Sequence, residues 1–117
     1  MKITRMDEAE CYEPDEGWKR TSLCGEERLS VEHFLKPPGH SSPVHSHPHD
    51  QVLVVLRGAL AVQGGDGVEE TLGEGDSAFF PAGEAHRVRN PLETPSAGLD
   101  IFAPGRPFSF WTDRRQG

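Results

Sequence analysis

Apolar and polar positions alternate along several short stretches of the chain. In LSVEHFL (29–35), Leu29, Val31, His33 and Leu35 fall on one face and Ser30, Glu32 and Phe34 on the other, the two-residue period of a strand. The leucine and valine side is the one expected to face the core, with His33 as a hydrogen-bonded residue among them. QVLVVLR (51–57) instead runs apolar and β-branched with no charge until its end, the pattern of a strand covered on both faces. Gly58 allows a sharp reversal into ALAVQ (59–63), and GGDG (64–67) ahead of VEETL marks a hairpin, because glycine supplies the positive φ such turns need. Further strands fit DSAFFP (76–81), HRVRN (86–90) and AGLDIFA (97–103). Short strands punctuated by turn signals at intervals of about 8–12 residues predict an all-β antiparallel sandwich or small barrel.

Thirteen glycines and ten prolines leave few windows for a long helix. Residues 1–17 are too polar and acidic to assign and form an N-terminal arm, while 105–117 are expected to wrap the outside as a tail. A chain of 117 residues suits one domain, 1–117, with no room for a second. Nineteen acidic against twelve basic residues, a net charge of -7, argue against a phosphate-binding surface and hence against nucleic acid. The Arg114-Arg115 pair reads as a solvated end. The N-terminus lacks the apolar run of a secretory signal, and no stretch approaches the roughly 20 apolar residues of a membrane helix. The expectation is a soluble, cytoplasmic protein with no membrane partner. Cys11 and Cys24 match no metal or redox spacing and are expected as free thiols.

The chemistry concentrates in HSHPHDQ (45–51). On an extended segment His45 and His47 share a face and make a chelate, and Gln51 on the following strand can approach the same point. His86, opening a short strand after the turn PAGEA, can complete the set from a distance. A histidine-rich surface loop is the plainer alternative. The two segments carry a frame of glycine and proline: G-x5-H-x-H-x3-Q-x6-G from Gly39 to Gly58, and G-x5-P-x-G-x2-H-x3-N from Gly75 to Asn90. Together they resemble the paired motifs of the cupin superfamily, with Gln51 where the first motif usually has Glu. The resemblance covers about residues 29–104. It implies a double-stranded β-helix, a jelly-roll barrel in which His45, His47, Gln51 and His86 converge on one divalent metal, either Zn, Ni, Fe or Mn. The amide oxygen of Gln51 adds a dipole and no charge, which leaves such an ion a stronger Lewis acid and favours isomerisation, proton transfer or lyase steps over redox.

In LDIFAPGR, Asp100 and Phe102 share a strand face, and Arg106 follows past Pro104. An aspartate within an apolar strand either meets solvent or turns inward for a reason. HSHPHDQV with LDIFAPGR is similar to the KdgF-like cupins of pectin degradation, single-domain proteins that convert unsaturated uronates into linear keto sugars. That similarity implies Asp100 as the catalytic acid or base, Phe102 as a substrate platform, and Arg106 as a catalytic and substrate-binding group clamping a carboxylate. The chain departs from them at Leu53, where an amide is usual, and after Arg106, where PFSFW replaces an acidic pair. The reading is thus a metal-dependent enzyme for a small carboxylated or enolic compound. A cupin dioxygenase and a non-enzymatic binding or sensing cupin are the alternatives. His40 is placed in a loop, His49 at the rim, and Arg57 at the barrel mouth or in solvent. Trp18 and the FSFW segment are expected on the barrel exterior or against a partner. The apolar run of 52–56 suggests a homodimer paired through its sheets.

Overall fold

A computed structural model describes residues 1–113, so Arg114 and Arg115 lie outside the described residues. Nine strands form among the described residues: β1 (Cys11–Asp15), β2 (Trp18–Gly25), β3 (Ser30–Lys36), β4 (Asp50–Arg57), β5 (Leu60–Gln63), β6 (Glu69–Leu72), β7 (Ser77–Phe80), β8 (Arg87–Arg89) and β9 (Ser96–Ala103). A short helix, α1 (Ser109–Thr112), follows. All pairings are antiparallel, in a six-stranded sheet of order β1-β2-β3-β9-β4-β7 and a three-stranded sheet of order β6-β5-β8. Phe34, Leu53, Val55 and Phe80 of the larger sheet pack with Leu60, Val62 and Val88 of the smaller, forming the core of a single all-β domain. Gly58 turns the chain at φ +80° as its place between two strands requires. No helix among the described residues is long and apolar enough to cross a membrane.

β3 faces the opposite way from its apolar pattern. Ser30, Glu32, Phe34 and Lys36 are buried, while Val31, His33 and Leu35 are half-buried on the outside. The reason is that this barrel is lined with paired charges. The outward residues instead join an apolar sheet exterior, where His33 pairs with Leu99, Val31 with Ile101, and Val52 with Ile101 and Phe79. His33 is therefore not a barrel-lining residue. The same register turns Asp100 inward between Glu32 and Leu53, and Phe102 inward between Ser30 and Gln51. Gly98 makes room for this arrangement, since a Cβ there would stand 2.6 Å from the Phe34 ring.

Both chain ends depart from expectation. The N-terminal arm contains β1, which pairs with β2 at the sheet edge, Tyr12 opposite Arg20. The segment after β9 folds back into the barrel end rather than around the outside. The Arg106 N–H donates to Ser30 Oγ at 2.8 Å, and Arg106, Phe108 and Trp111 are buried. Trp18 meets Trp111 edge-on, ring centres 5.2 Å apart, and both line the interior cavity rather than the exterior. Arg57 is exposed, and Cys11 and Cys24 are free. Along the apolar run, Leu53 and Val55 are buried but Val52 and Val54 are only half-buried and Leu56 is exposed, so the single chain covers one face.

Candidate metal centre and cavity

Two loops are stitched together to make the histidine cluster. The backbones of His45 and His86 exchange hydrogen bonds of 3.0 and 2.9 Å, and the Gly83 N–H donates to the His47 carbonyl at 2.9 Å. Asp50 Oδ1 accepts from the Ala82 N–H, tying the start of β4 to the second loop. Gly83 sits at φ +84°, a conformation that side-chain-bearing residues rarely adopt. The result is that ligand atoms of His45, His47 and His86, distant in sequence, lie within 4.8 Å of one another.

The hydrogen bonds at the far side of each ring set its tautomer. Nδ1–H of His45 donates to the Pro43 carbonyl at 2.9 Å, that of His47 to His49 at 3.0 Å, and that of His86 to Glu84 at 2.9 Å. Each Nε2 is left as a bare lone pair, the form that ligates metals. His86, stacked on Phe80 at 4.3 Å, is buried, and its Nε2 has no hydrogen-bond partner. Burial lowers the pKa of His45 and His86 below the ordinary value, keeping both imidazoles neutral at neutral pH.

Gln51 completes the arrangement. Its amide N–H donates to Asp100 Oδ1 at 2.8 Å, which fixes the amide orientation, because the flipped form would set two acceptors face to face. Gln51 Oε1 then stands 2.9 Å from His47 Nε2, and in the tautomer whose Nδ1–H donates to His49 two lone pairs meet there. A metal ion between them, or a proton on the ring, would satisfy both atoms, and the donor set of three imidazoles and an amide oxygen suits a divalent ion.

These groups open into a cavity of about 490 Å3 whose wall also holds Arg20, Lys36, Asp100, Phe102, Arg106 and Trp111. Phe102 is buried, edge-on to His47 with ring centres 5.5 Å apart, and carries the Arg106 guanidinium over its ring at 4.1 Å. Arg106 lies equally close to Phe110, at 4.0 Å, and turns one NH2 toward Glu32 Oε2 at 3.3 Å. Arg20 bridges Glu32 at 2.7 Å and Asp100 at 2.9 Å, and the Trp111 indole N–H donates to Glu32 at 2.6 Å. Burial works against the Arg20 charge, but Asp100 and Glu32 outweigh it and raise its pKa. Burial lowers Lys36 to about 8, with Arg20 adding to the effect and Asp100 and Asp15 opposing it. His49 stays at the rim, its Nδ1–H on the Pro104 carbonyl at 2.9 Å.

Every site residue expected from the sequence, His45, His47, Gln51, His86, Asp100, Phe102 and Arg106, therefore meets in one cavity. Arg20, Glu32 and Lys36 were not expected as site residues, and Trp18 and Trp111, expected on the exterior or against a partner, line the cavity instead. The alternating charges of Glu32 and Lys36 on β3 were a usable signal, whereas nothing in residues 18–25 marked Arg20.

The chain matches the Cupin_2 family, described as the cupin domain, over residues 33–102. An RmlC-like cupin from Shewanella frigidimarina NCIMB 400 is 30% identical, with a TM-score of 0.82 over 91% of this chain and 93% of that one. KdgF from Halomonas sp. is 25% identical, with a TM-score of 0.83 over 91% of this chain and 96% of that one. TT1209 from Thermus thermophilus is 32% identical, with a TM-score of 0.75 over 89% of this chain and 98% of that one. No curated protein matches the sequence.

Proposed function

The chain belongs to the cupin domain family, and from that premise we propose that it is a metal-dependent enzyme that isomerises or ring-opens a small carboxylated or enolic compound such as an unsaturated uronate. The observation that carries this reading is the contact between Gln51 and Asp100. One amide joins the candidate metal centre, through its oxygen, to a cavity carboxylate, through its nitrogen. A group that can move a proton thus stands one residue from the place where substrate oxygens would be held. The likeness to KdgF along nearly its whole length supports the same class of substrate.

His45, His47, His86 and Gln51 would hold one divalent ion, either Zn, Ni, Fe or Mn. When bound it supplies Lewis acidity, stabilising negative charge on substrate oxygens. Asp100, already held by Arg20 and Gln51, takes a proton from substrate oxygen and returns it to carbon, and its two partners keep it oriented throughout. Phe102 and Arg106 form the adjoining wall. The apolar Leu53 stands beside Asp100 in the same cavity wall. A binding or sensing cupin is the second reading, favoured by the engagement of both Asp100 and Arg106 with protein partners.

Protein purified without chelator or affinity-tag metal should carry close to one divalent ion per chain, and His45→Ala with His86→Ala should remove it. The loaded protein should bleach the near-ultraviolet absorbance of an unsaturated uronate, and Asp100→Asn should slow this about 100-fold or more. Absence of bleaching refutes the uronate assignment. Tight binding without turnover establishes the sensing cupin, and oxygen uptake with enediols would establish a dioxygenase instead.

A further inference from the structure

Lys36 is a buried cation in the cavity wall that no carboxylate touches. It is 2% exposed, at the end of β3 opposite Ser96. Its neighbours in charge are all committed. Glu32 accepts from Arg20, Arg106 and Trp111, and Asp100 accepts from Arg20 and Gln51. Among the described residues Lys36 Nζ makes one hydrogen bond, donating to His40 Nδ1 at 2.7 Å. The other ring nitrogen of His40 donates to Asp15 Oδ2 at 2.9 Å, so Asp15 reaches the ammonium only through an imidazole. An ammonium has three donors, which leaves two of them without a protein acceptor.

Beside it stands a second unsatisfied donor. Trp18 also lines the cavity, with Lys36 Nζ 4.7 Å from its ring centre, and the indole Nε1 is buried without a partner. Buried donors left unmatched cost free energy that an acceptor would recover. Within the buried wall Arg20, Lys36 and Arg106 face Glu32 and Asp100, and the further carboxylate lining the cavity, Asp15, is exposed and bonded to His40. An anion is the missing partner.

We propose that Lys36 and Trp18 form an anion subsite, distinct from the histidine cluster, that holds the carboxylate of a small organic acid in the cavity. The register sets the two ends apart: Gln51 lies level with Ser30 across β9, six residues along β3 from Lys36. The reacting oxygens of the ligand occupy the histidine end and its carboxylate the Lys36 end. One ammonium with an indole N–H matches one negative charge, and Arg106 is spared for Glu32. Only the choice of an organic acid rests on the proposed function. The subsite itself is independent of metal and of turnover.

The test is calorimetric titration of D-glucuronate into metal-free and zinc-loaded protein, with D-glucose as the uncharged control. Glucuronate should bind the metal-free protein, and glucose should bind at least tenfold more weakly. Lys36→Met should weaken glucuronate about tenfold or more in both forms, Trp18→Phe less, and Lys36→Arg should retain it, with circular dichroism confirming the fold of each. Affinity in the wild type should fall as pH rises through about 8, where burial, with Arg20 adding to it and Asp100 and Asp15 opposing it, makes Lys36 lose its proton; the one other group bonded to the ammonium is His40. Lys36→Arg should bind with no such decline. Undiminished binding by Lys36→Met, or binding that requires zinc, overturns the subsite. Failure of uronate turnover with this binding pattern intact refutes only the reaction.

Discussion

Replacing Lys36 by methionine should stabilise the free protein at neutral pH, although it removes two visible contacts. Burial of the ammonium holds its pKa at about 8, against 10.5 for an unperturbed lysine. The displacement amounts to about 3 kcal/mol of destabilisation while the group is protonated in both states. Methionine has nearly the same length and removes that cost. It forfeits the cation–π contact with Trp18, about 1 kcal/mol, and the hydrogen bond to His40, about 1 kcal/mol. The net gain at pH 7 is then about 1 kcal/mol. Between pH 8 and 10.5 the unfolded wild-type chain keeps the Lys36 proton and the folded chain has lost it, so wild-type stability rises with pH relative to the variant. At about pH 9.5 the difference should have moved by about 2 kcal/mol and reversed sign. Urea denaturation of both proteins at about pH 7 and about pH 9.5, without ligand, measures it. A variant less stable than wild type at neutral pH, or a difference that ignores pH, would show that Lys36 is satisfied in the free protein and would remove the energetic basis of the anion subsite.

Gln51→Glu should set a second carboxylate 2.8 Å from Asp100, a repulsion of up to about 6 kcal/mol at an effective dielectric constant of about 20. Thermal melts should show a metal-free variant weakened at neutral pH and rescued by zinc; an unchanged melt at neutral pH would contradict the placement of Gln51 against Asp100. The half-buried outer residues Val52, Val54, Leu99 and Ile101, with Phe79 59% exposed beside them, should pair two chains into a homodimer. Phe79→Asp should convert that dimer to a monomer in analytical ultracentrifugation without loss of metal, and a monomeric wild type would refute the pairing.

The strands from β3 onward were legible because alternation, β-branched runs and glycine turns are local signals, and the histidine frame was legible because its spacing is local as well. Which face of β3 turns inward was not. The apolar face of LSVEHFL pointed to the core on the ordinary rule, and that rule fails where a barrel is lined by mutually paired charges and its exterior is apolar. Arg20 and Glu32 satisfy each other across β2 and β3, and only the pairing of two strands makes either buried charge tolerable. The same holds for the chain ends. Residues 1–17 and the FSFW segment carried no periodicity, yet β1 gains an edge to pair with and Trp111 gains an acceptor in Glu32. Both gains belong to tertiary structure.

The neutrality of Gln51 follows from the same network. Asp100 reaches the candidate metal centre only through the Gln51 amide, and it can do so because that residue offers a donor on one side and an acceptor on the other. A glutamate would bring its charge directly to a metal ion but would meet Asp100 with no proton to give. The chain instead keeps the negative charge one side chain away, shared with Arg20 at 2.9 Å. Part of the compensation for a bound cation would thereby be withheld, which would keep such an ion electrophilic, while the carboxylate stays anchored beside it. At the other end of the cavity Lys36 lacks any such partner. In a protein of net charge -7, an interior that combines a candidate cation site, an ammonium without a carboxylate partner and a carboxylate anchored by Arg20 and Gln51 is complementary to an acid whose charge and reacting oxygens are at opposite ends.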